Sequence, residues 1–375
     1  MIYFDNAATT IPNELLLLEY NRIEREFFAN STSIHKQGIF SSKILEESRK
    51  LLLNSLNLDN SYQAIFVSGA TEANNLAIKG YSLRFQNRGK HIITTAVEHP
   101  SVLESFFQLR DFFGFEITIL PVESDGTIDC AVLERSIRKD TILVSIMAVN
   151  NETGAINDIA RIASIIKNYP KIKLHVDATQ AVGKITLPYS QIDMFSLSAH
   201  KFGGLKGSGA LLIKKNLLLL PIMSGGNQEY GYRSGTVDVP SAFACALATK
   251  NAINDMKINS EKACEISSFI FAGLRKNADI VMNSTEKCSP FIMNFSLKNK
   301  KASVVVEALS NADIMVSSLS ACHSKKEKSS YVIRAMGRDD NLSSNTIRLS
   351  FWSYNTVDEA VLFLEALNKI VESIK

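Results

Sequence analysis

Residues 196–204, SLSAHKFGG, set Lys201 just after a short apolar run and before a pair of glycines. Burial at the mouth of a strand disfavours an ammonium ion and leaves an amine that can condense with an aldehyde. Its alternative is a surface lysine in an ordinary turn. Lys206, in GGLKGSG, is a rival amine, but its glycine-rich loop leaves it more solvated, so Lys201 is preferred. In LHVDATQAVGK (174–184) an apolar run ends in Asp177. A carboxylate there needs a partner, because burying it alone is costly. A protonated pyridine nitrogen would serve, and so would an Arg or Lys. Strand alternation puts Thr179 on the side of Asp177, where its methyl can abut a ring. His99 stands before Pro100, a residue suited to a first helical turn, and so at a strand-to-helix junction. Ala70 and Thr71 open a helix after IFVSG, and exposed amides beside a hydroxyl suit an anion. Capping by Ser68 or Thr71 is the alternative. Ser198 and His200 point the same way if their strand continues, and both can hold phosphate. Asn150 can hydrogen-bond a cofactor or a substrate carboxylate, or act as a turn residue in NNETG. An aldehyde-binding amine, a pyridinium partner, a stacking imidazole and a phosphate cradle together describe a site for pyridoxal phosphate (PLP).

The elements that must bring these residues together are visible as apolar runs. QAIFVSG (63–69), HIITTAV (91–97), EITILPV (116–122), TILVSIMAVN (141–150), KIKLHVD (171–177), MFSLSA (194–199) and GALLIKK (209–215) lack polar alternation. Such runs suit strands buried on both faces of a mostly parallel sheet. Helical patterns at 70–80, 100–113 and Asp158 to about Asn168 separate them and supply crossovers. Ligand chemistry in such α/β sheets gathers at the carboxyl ends of the strands, where every candidate above lies. From about Asp255 the pattern changes to long helices with a few strands, FIMNFSL (291–297) and TIRLSFW (346–352) among them. The expected organisation is a large domain over 15–254 and a smaller α+β domain made from 1–14 and 255–375.

Composition narrows the class. The chain has 375 residues, a net charge of +3 and 21% charged residues, which argues for neither nucleic acid nor a membrane surface as partner. The five cysteines are odd in number and widely spaced, without metal-ligand spacing, so neither a disulfide framework nor a zinc site is expected. That pattern, together with an opening MIYFDNAATT that reads as structure rather than a leader, points to the cytosol.

YFDNAATT, SIHKQG, SGATEANNLAIKG, NNETGAI, HVDATQAVGK, LSAHKFGGLKGSGAL, GYRSGT, SLSAC, YVIRAMG and TIRLSF follow one another in an order that resembles cysteine desulfurases of the NifS/IscS type. These are PLP enzymes of the class V aminotransferase group, with the fold type I architecture of a seven-stranded sheet. The resemblance implies Lys201 as the Schiff-base lysine, His99 as the imidazole stacked on the ring, and Asp177 as partner of the pyridine nitrogen. It implies Gln180 on the ring hydroxyl, with Ala70, Thr71, Ser198 and His200 around the phosphate. Thr236 then reaches the phosphate of a neighbouring subunit, which makes the molecule a homodimer. Asn150 and Arg348 hold the substrate carboxylate, a task suited to a guanidinium fork. Cys322 is the nucleophile that takes sulfur from L-cysteine, giving L-alanine and a persulfide. The persulfide can ligate an iron–sulfur cluster transiently as sulfur passes to an acceptor, an iron–sulfur scaffold or a tRNA-thiolation enzyme. His323, Lys325 and Lys326 favour its thiolate electrostatically. The sequence departs from the family pattern at Leu319 and Asn227, where glycines are usual. A selenocysteine lyase, another class V lyase, and a non-catalytic partner in sulfur assembly are the rival readings.

Overall fold

The computed structural model describes residues 1–318 and 329–374. The chain enters through β1 (Ile2–Tyr3) and two helices, Glu14–Glu26 and Lys36–Ser55. It then builds β2 (Tyr62–Val67), β3 (His91–Thr95), β4 (Glu116–Leu120), β5 (Thr141–Met147), β6 (Lys173–Asp177), β7 (Met194–Ser198) and β8 (Gly209–Lys214). These seven form one sheet in the order β2-β8-β7-β6-β5-β3-β4. All run parallel except β8, which is antiparallel to both neighbours.

The lack of alternation has its reason in the two cores that flank the sheet. Ala64 and Phe66 of β2 face one apolar cluster with Val144, Val176, Leu197 and helix Val239–Asn254. Their neighbours Ile65 and Val67 face another, with Leu76, Val102 and Phe106 of helices Ala70–Phe85 and Pro100–Phe113. Successive side chains go to opposite faces, and both faces are covered, so most positions are apolar and buried polar ones such as Ser145 and His175 hydrogen-bond each other. At the sheet edge, β4 has exposed and half-buried positions instead.

Beyond Asp255, helix Met256–Leu274 leads into β9 (Ile280–Met282) and β10 (Ile292–Leu297), then helix Ala302–Asn311, β11 (Ile314–Met315), β12 (Ser317–Ser318) and β13 (Thr346–Ser350). Four of these strands form an antiparallel sheet, β12-β13-β10-β9, while β11 pairs parallel with β1. A separate apolar cluster unites Ile2 and Phe4 with residues from 266 to 371, including Phe363 of the last helix, Val357–Ser373. The amino-terminal arm therefore packs with the carboxyl-terminal third of the chain, then crosses to the large sheet. Among the described residues no helix is long and apolar enough to cross a membrane.

Candidate active site

The parallel strands release their chains toward one edge of the sheet, and a cavity of about 500 Å³ opens there. Its wall includes Gly69, Ala70 and Thr71 after β2, His99 after β3, Asp177, Thr179 and Gln180 after β6, and Ser198, His200 and Lys201 after β7. Arg348 of β13 and Tyr331, at the start of helix Tyr331–Ala335, also line it, as do Ala7 and Ala8 of the amino-terminal arm.

Asp177 is buried, and its carboxylate accepts from Asn74 Nδ2 at 2.8 Å and from the Thr179 main chain at 3.0 Å. Among the described residues neither a lysine nor an arginine pairs with it. A buried carboxylate on a cavity wall without a basic partner suits a cationic ring nitrogen. Asn74 also donates to Ser101 Oγ at 2.9 Å, and that hydroxyl lies 2.8 Å from His99 Nδ1. The Ser101 main-chain N–H donates to the same Nδ1 at 3.1 Å, since His99 caps helix Pro100–Phe113. With Nδ1 an acceptor, the neutral imidazole carries its proton on Nε2. His99 and Asp177 are thus tied together through Asn74 and Ser101.

Lys201 Nζ donates to the carbonyls of Ala7 (2.7 Å) and Ala8 (2.8 Å). Lys206 is exposed, in keeping with a solvated loop, although it too borders the cavity. Gly69 caps helix Ala70–Phe85 with φ of +153° and has no side chain to offer the first amides. A Cβ on Gly69 would lie 3.2 Å from Ser198 Oγ, so a larger residue would crowd this corner. Open amides, Ser198 and His200 form an anion cradle. Burial, together with the charges of Lys201, Lys206 and Lys184, holds His200 down to about 4, so it meets an anion as a neutral ring.

Arg348 is buried, donating from Nη2 to Asp5 Oδ1 at 2.8 Å and from Nη1 to the Asn151 carbonyl at 3.0 Å. Among the described residues its Nε has no partner. Part of the fork is therefore engaged by Asp5 and the rest is available.

Several expectations are revised. Thr179 does not continue a strand: β6 stops at Asp177, and Thr179 sits in the turn its own N–H makes with that carboxylate. Its hydroxyl is buried without a partner among the described residues. Ser198 ends β7, and Ala199–Lys201 is a 3-10 turn, so Ser198 and His200 reach the cavity through a bend rather than strand alternation. Asn150 is not on the cavity wall. Its Oδ1 accepts from the Glu152 and Thr153 main chains at 2.9 Å each, and its Nδ2 donates to the Val97 carbonyl at 2.9 Å. It is the turn residue of NNETG, while Asn151 and Glu152 line the cavity. Thr236 is exposed and lies outside the cavity of its own chain. Asn227, where a glycine is usual, has φ of +64°, a left-handed conformation that asparagine tolerates better than most residues. Cys322 and Leu319, with His323, Lys325 and Lys326, lie outside the described residues. Sequence reasoning overlooked Asn74, Ser101, Asp5, Lys184 and the carbonyls of Ala7 and Ala8. YFDNAATT and HVDATQAVGK carried a signal for four of these positions, Asp5, Ala7, Ala8 and Lys184, but only as unassigned parts of motifs.

Residues 2–363 match the model of the family described as aminotransferase class-V. The chain belongs to that family. A NifS/IcsS protein homolog of Lactobacillus delbrueckii subsp. bulgaricus is 39% identical, over 99% of this chain and 97% of that protein. The cysteine desulfurase IscS of Dictyoglomus turgidum is 36% identical, over 100% of this chain and 95% of its own length. A solved structure of a NifS-like protein superposes with a TM-score of 0.92 at 34% identity, covering 99% of both chains. The NifS/IscS resemblance and the fold class expected from the sequence both hold.

Proposed function

We propose that this protein is a PLP-dependent cysteine desulfurase. The observation that carries the reading is the buried Asp177 carboxylate, without a basic partner, on a cavity that also receives Lys201 and His99. Family membership and desulfurase relatives that match end to end support it.

Lys201 would hold the cofactor's aldehyde carbon, Asp177 its ring nitrogen, Gln180 its ring oxygen, and Ala70, Thr71, Ser198 and His200 its phosphate. Bound there, PLP supplies an electron sink for the carbanion left when the α-proton of cysteine departs. The chain's own residues do the rest. Arg348 takes the substrate carboxylate with the donors that Asp5 and Asn151 leave open. Asn150 acts indirectly, by shaping the turn that carries Asn151. His99 covers the ring and takes part in proton movement at Nε2. The thiolate of Cys322 attacks the sulfur of L-cysteine. The carbon–sulfur bond breaks and a sulfur–sulfur bond forms, so the products are L-alanine, once the carbon is protonated, and a persulfide on Cys322.

Residues 15–254 are read as the cofactor domain and 1–14 with 255–375 as the domain carrying Cys322, a division the separate apolar cores support. The molecule is read as a cytosolic homodimer, with Thr236 of each subunit serving the other's phosphate site. The persulfide passes to an acceptor protein for iron–sulfur assembly or tRNA thiolation, with cluster ligation at Cys322 a transient event.

The test is release of alanine and sulfide from cysteine by the wild type and by Cys322→Ala. The wild type binds PLP and makes both products, while Cys322→Ala keeps PLP and loses turnover by at least about 100-fold. Undiminished turnover in the variant removes Cys322 from the reaction, and a wild type that takes up no PLP overturns the whole reading.

A further inference from the structure

Lys184 closes the HVDATQAVGK motif and has no part in the mechanism above, yet it is buried. Among the described residues no carboxylate pairs with it. Its Nζ donates to Gln180 Oε1 at 2.7 Å and lies 5.7 Å from the centroid of Trp352 and 6.0 Å from that of Phe291. Successive turns from Ala178 to Ile185, in which Val182 bonds back to Ala178 and Ile185 to Ala181, set residues 180 and 184 one helical turn apart. Gly183 makes this possible: its φ is +71°, and a Cβ there would lie 2.5 Å from the Ala252 Cβ. The segment is therefore pressed against helix Val239–Asn254, with Lys184 turned inward.

The consequence falls on Gln180, whose amide can be placed either way round. Lys184 has donors and no acceptor as an ammonium, so it fixes the Gln180 oxygen toward itself. The amide nitrogen must then face the other way. Nε2 donates one hydrogen to the Ala7 carbonyl at 2.9 Å, and Gln180 lines the cavity with the second. Reversed, the amide would set an oxygen against the Ala7 carbonyl oxygen and another lone pair toward the site.

We infer that Lys184 is a positioning residue: it locks Gln180 so that an N–H, never an oxygen, is presented to the ring oxygen of the cofactor. The inference rests on the PLP reading above and names a residue that acts through another. A buried lysine without a counter-ion is costly, and its use here is orientation. Burial, with the charges of Lys201 and Arg348, brings Lys184 down to about 7; as a neutral amine it still has N–H groups to donate, and the Ala7 carbonyl, which can only accept, holds the amide the same way round.

The experiment compares the wild type with Lys184→Met, Gln180→Ala and the double variant. Each is measured for PLP affinity after removal and return of the cofactor, and for the pH midpoint of the bound cofactor's visible absorbance. Unfolding of the cofactor-free proteins is followed in parallel. Lys184→Met is expected to weaken PLP binding about tenfold, the size of one charge-assisted hydrogen bond. A ring oxygen that loses its N–H donor lets the cofactor keep its proton to higher pH, so the midpoint rises by about one unit. Gln180→Ala gives the same two changes, and the double variant adds nothing further. Lys184→Leu, apolar, smaller and without a donor, replaces Lys184→Met with the same expectation if the latter does not fold. Unchanged affinity and midpoint overturn the inference even if the cofactor-free protein loses stability, because that pattern describes packing alone. Additive effects in the double variant overturn it as well. A wild type that binds no PLP removes the parent reading and this inference together. A wild type that binds PLP while the variants match it removes only the inference.

Discussion

Asp177 shows what one residue needs from its neighbours. A carboxylate buried beside a cavity keeps its charge only if donors surround it, and here one donor is a side chain 103 positions away, Asn74. The same Asn74 amide donates to Ser101, which fixes the histidine that closes the other side of the site. One buried amide therefore serves two functional groups. Asn74→Ala should weaken PLP binding about tenfold, because a hydrogen bond to a charged group is lost and the Asp177 oxygen is left with one donor fewer. Asn74→Asp should do more harm: a second carboxylate beside Asp177 forces one of the two to take a proton. Titration of cofactor-free protein with PLP measures both, and equal affinity in the wild type and Asn74→Asp would remove Asn74 from the account. None of this was readable from local pattern. A strand that ends in Asp177 is legible because the apolar run stops, whereas an asparagine on a helix gives no periodic sign that it faces a carboxylate.

The elements were more legible than the side chains they position, and the reason is burial. Every position of β3, β5 and β7 is buried, so the apolar runs coincide with the strands and overshoot only at their carboxyl ends. The chemistry sits just past those ends: His99 and the 3-10 turn holding Lys201 both follow the last paired residue of their strands. Alternation fails there, which is why Thr179, Ser198 and His200 were assigned to the cavity for the wrong geometric reason. The amino-terminal arm was placed with the carboxyl-terminal third, but its carbonyl contact with Lys201 spans 194 residues and leaves no local trace. Another long-range tie holds the 224–236 loop. Arg49 of helix Lys36–Ser55 pairs with Glu229 at 2.5 Å, donates to the Ala64 carbonyl, and Glu229 accepts from the Phe66 main chain at 2.7 Å. Glu229 and Tyr230 both have positive φ, so the loop is bent against its preference around this pair. Arg49→Met leaves Glu229 buried without its cation and should cost about 3–5 kcal/mol in urea unfolding. Arg49→Met with Glu229→Gln should cost less than the single change, because the uncompensated charge has gone. A single variant as stable as the wild type would mean that the pair does not hold the loop.

At the scale of the whole molecule, that loop decides whether one chain is enough. Its RSGT segment is tied back to the phosphate corner by Arg233, which pairs with Glu72 at 2.9 Å in the first turn of helix Ala70–Phe85. Glu72 also accepts from the Ser68 main chain at 2.8 Å, so the cradle and the loop share one carboxylate. Yet Thr236, three residues beyond Arg233, is exposed and does not line its own cavity. An exposed hydroxyl on a loop anchored by these two ion pairs is free either to stay solvated or to meet a second copy of the chain, as the proposed function has it. The two arrangements, serving its own site or the partner's, make opposite predictions for mixed dimers. Lys201→Ala and Thr236→Ala are each expected to be weak or inactive as pure proteins. In a mixed dimer, service across the interface puts both defects into one site and leaves the other with an intact Lys201 and an intact Thr236. Each mixed dimer then has one complete site of two, so the isolated mixed dimer should show about half of wild-type activity. If Thr236 serves its own chain, both sites of a mixed dimer carry one defect and no activity returns. Coexpression of two differently tagged variants, isolation of the mixed dimer and an alanine-release assay decide between them.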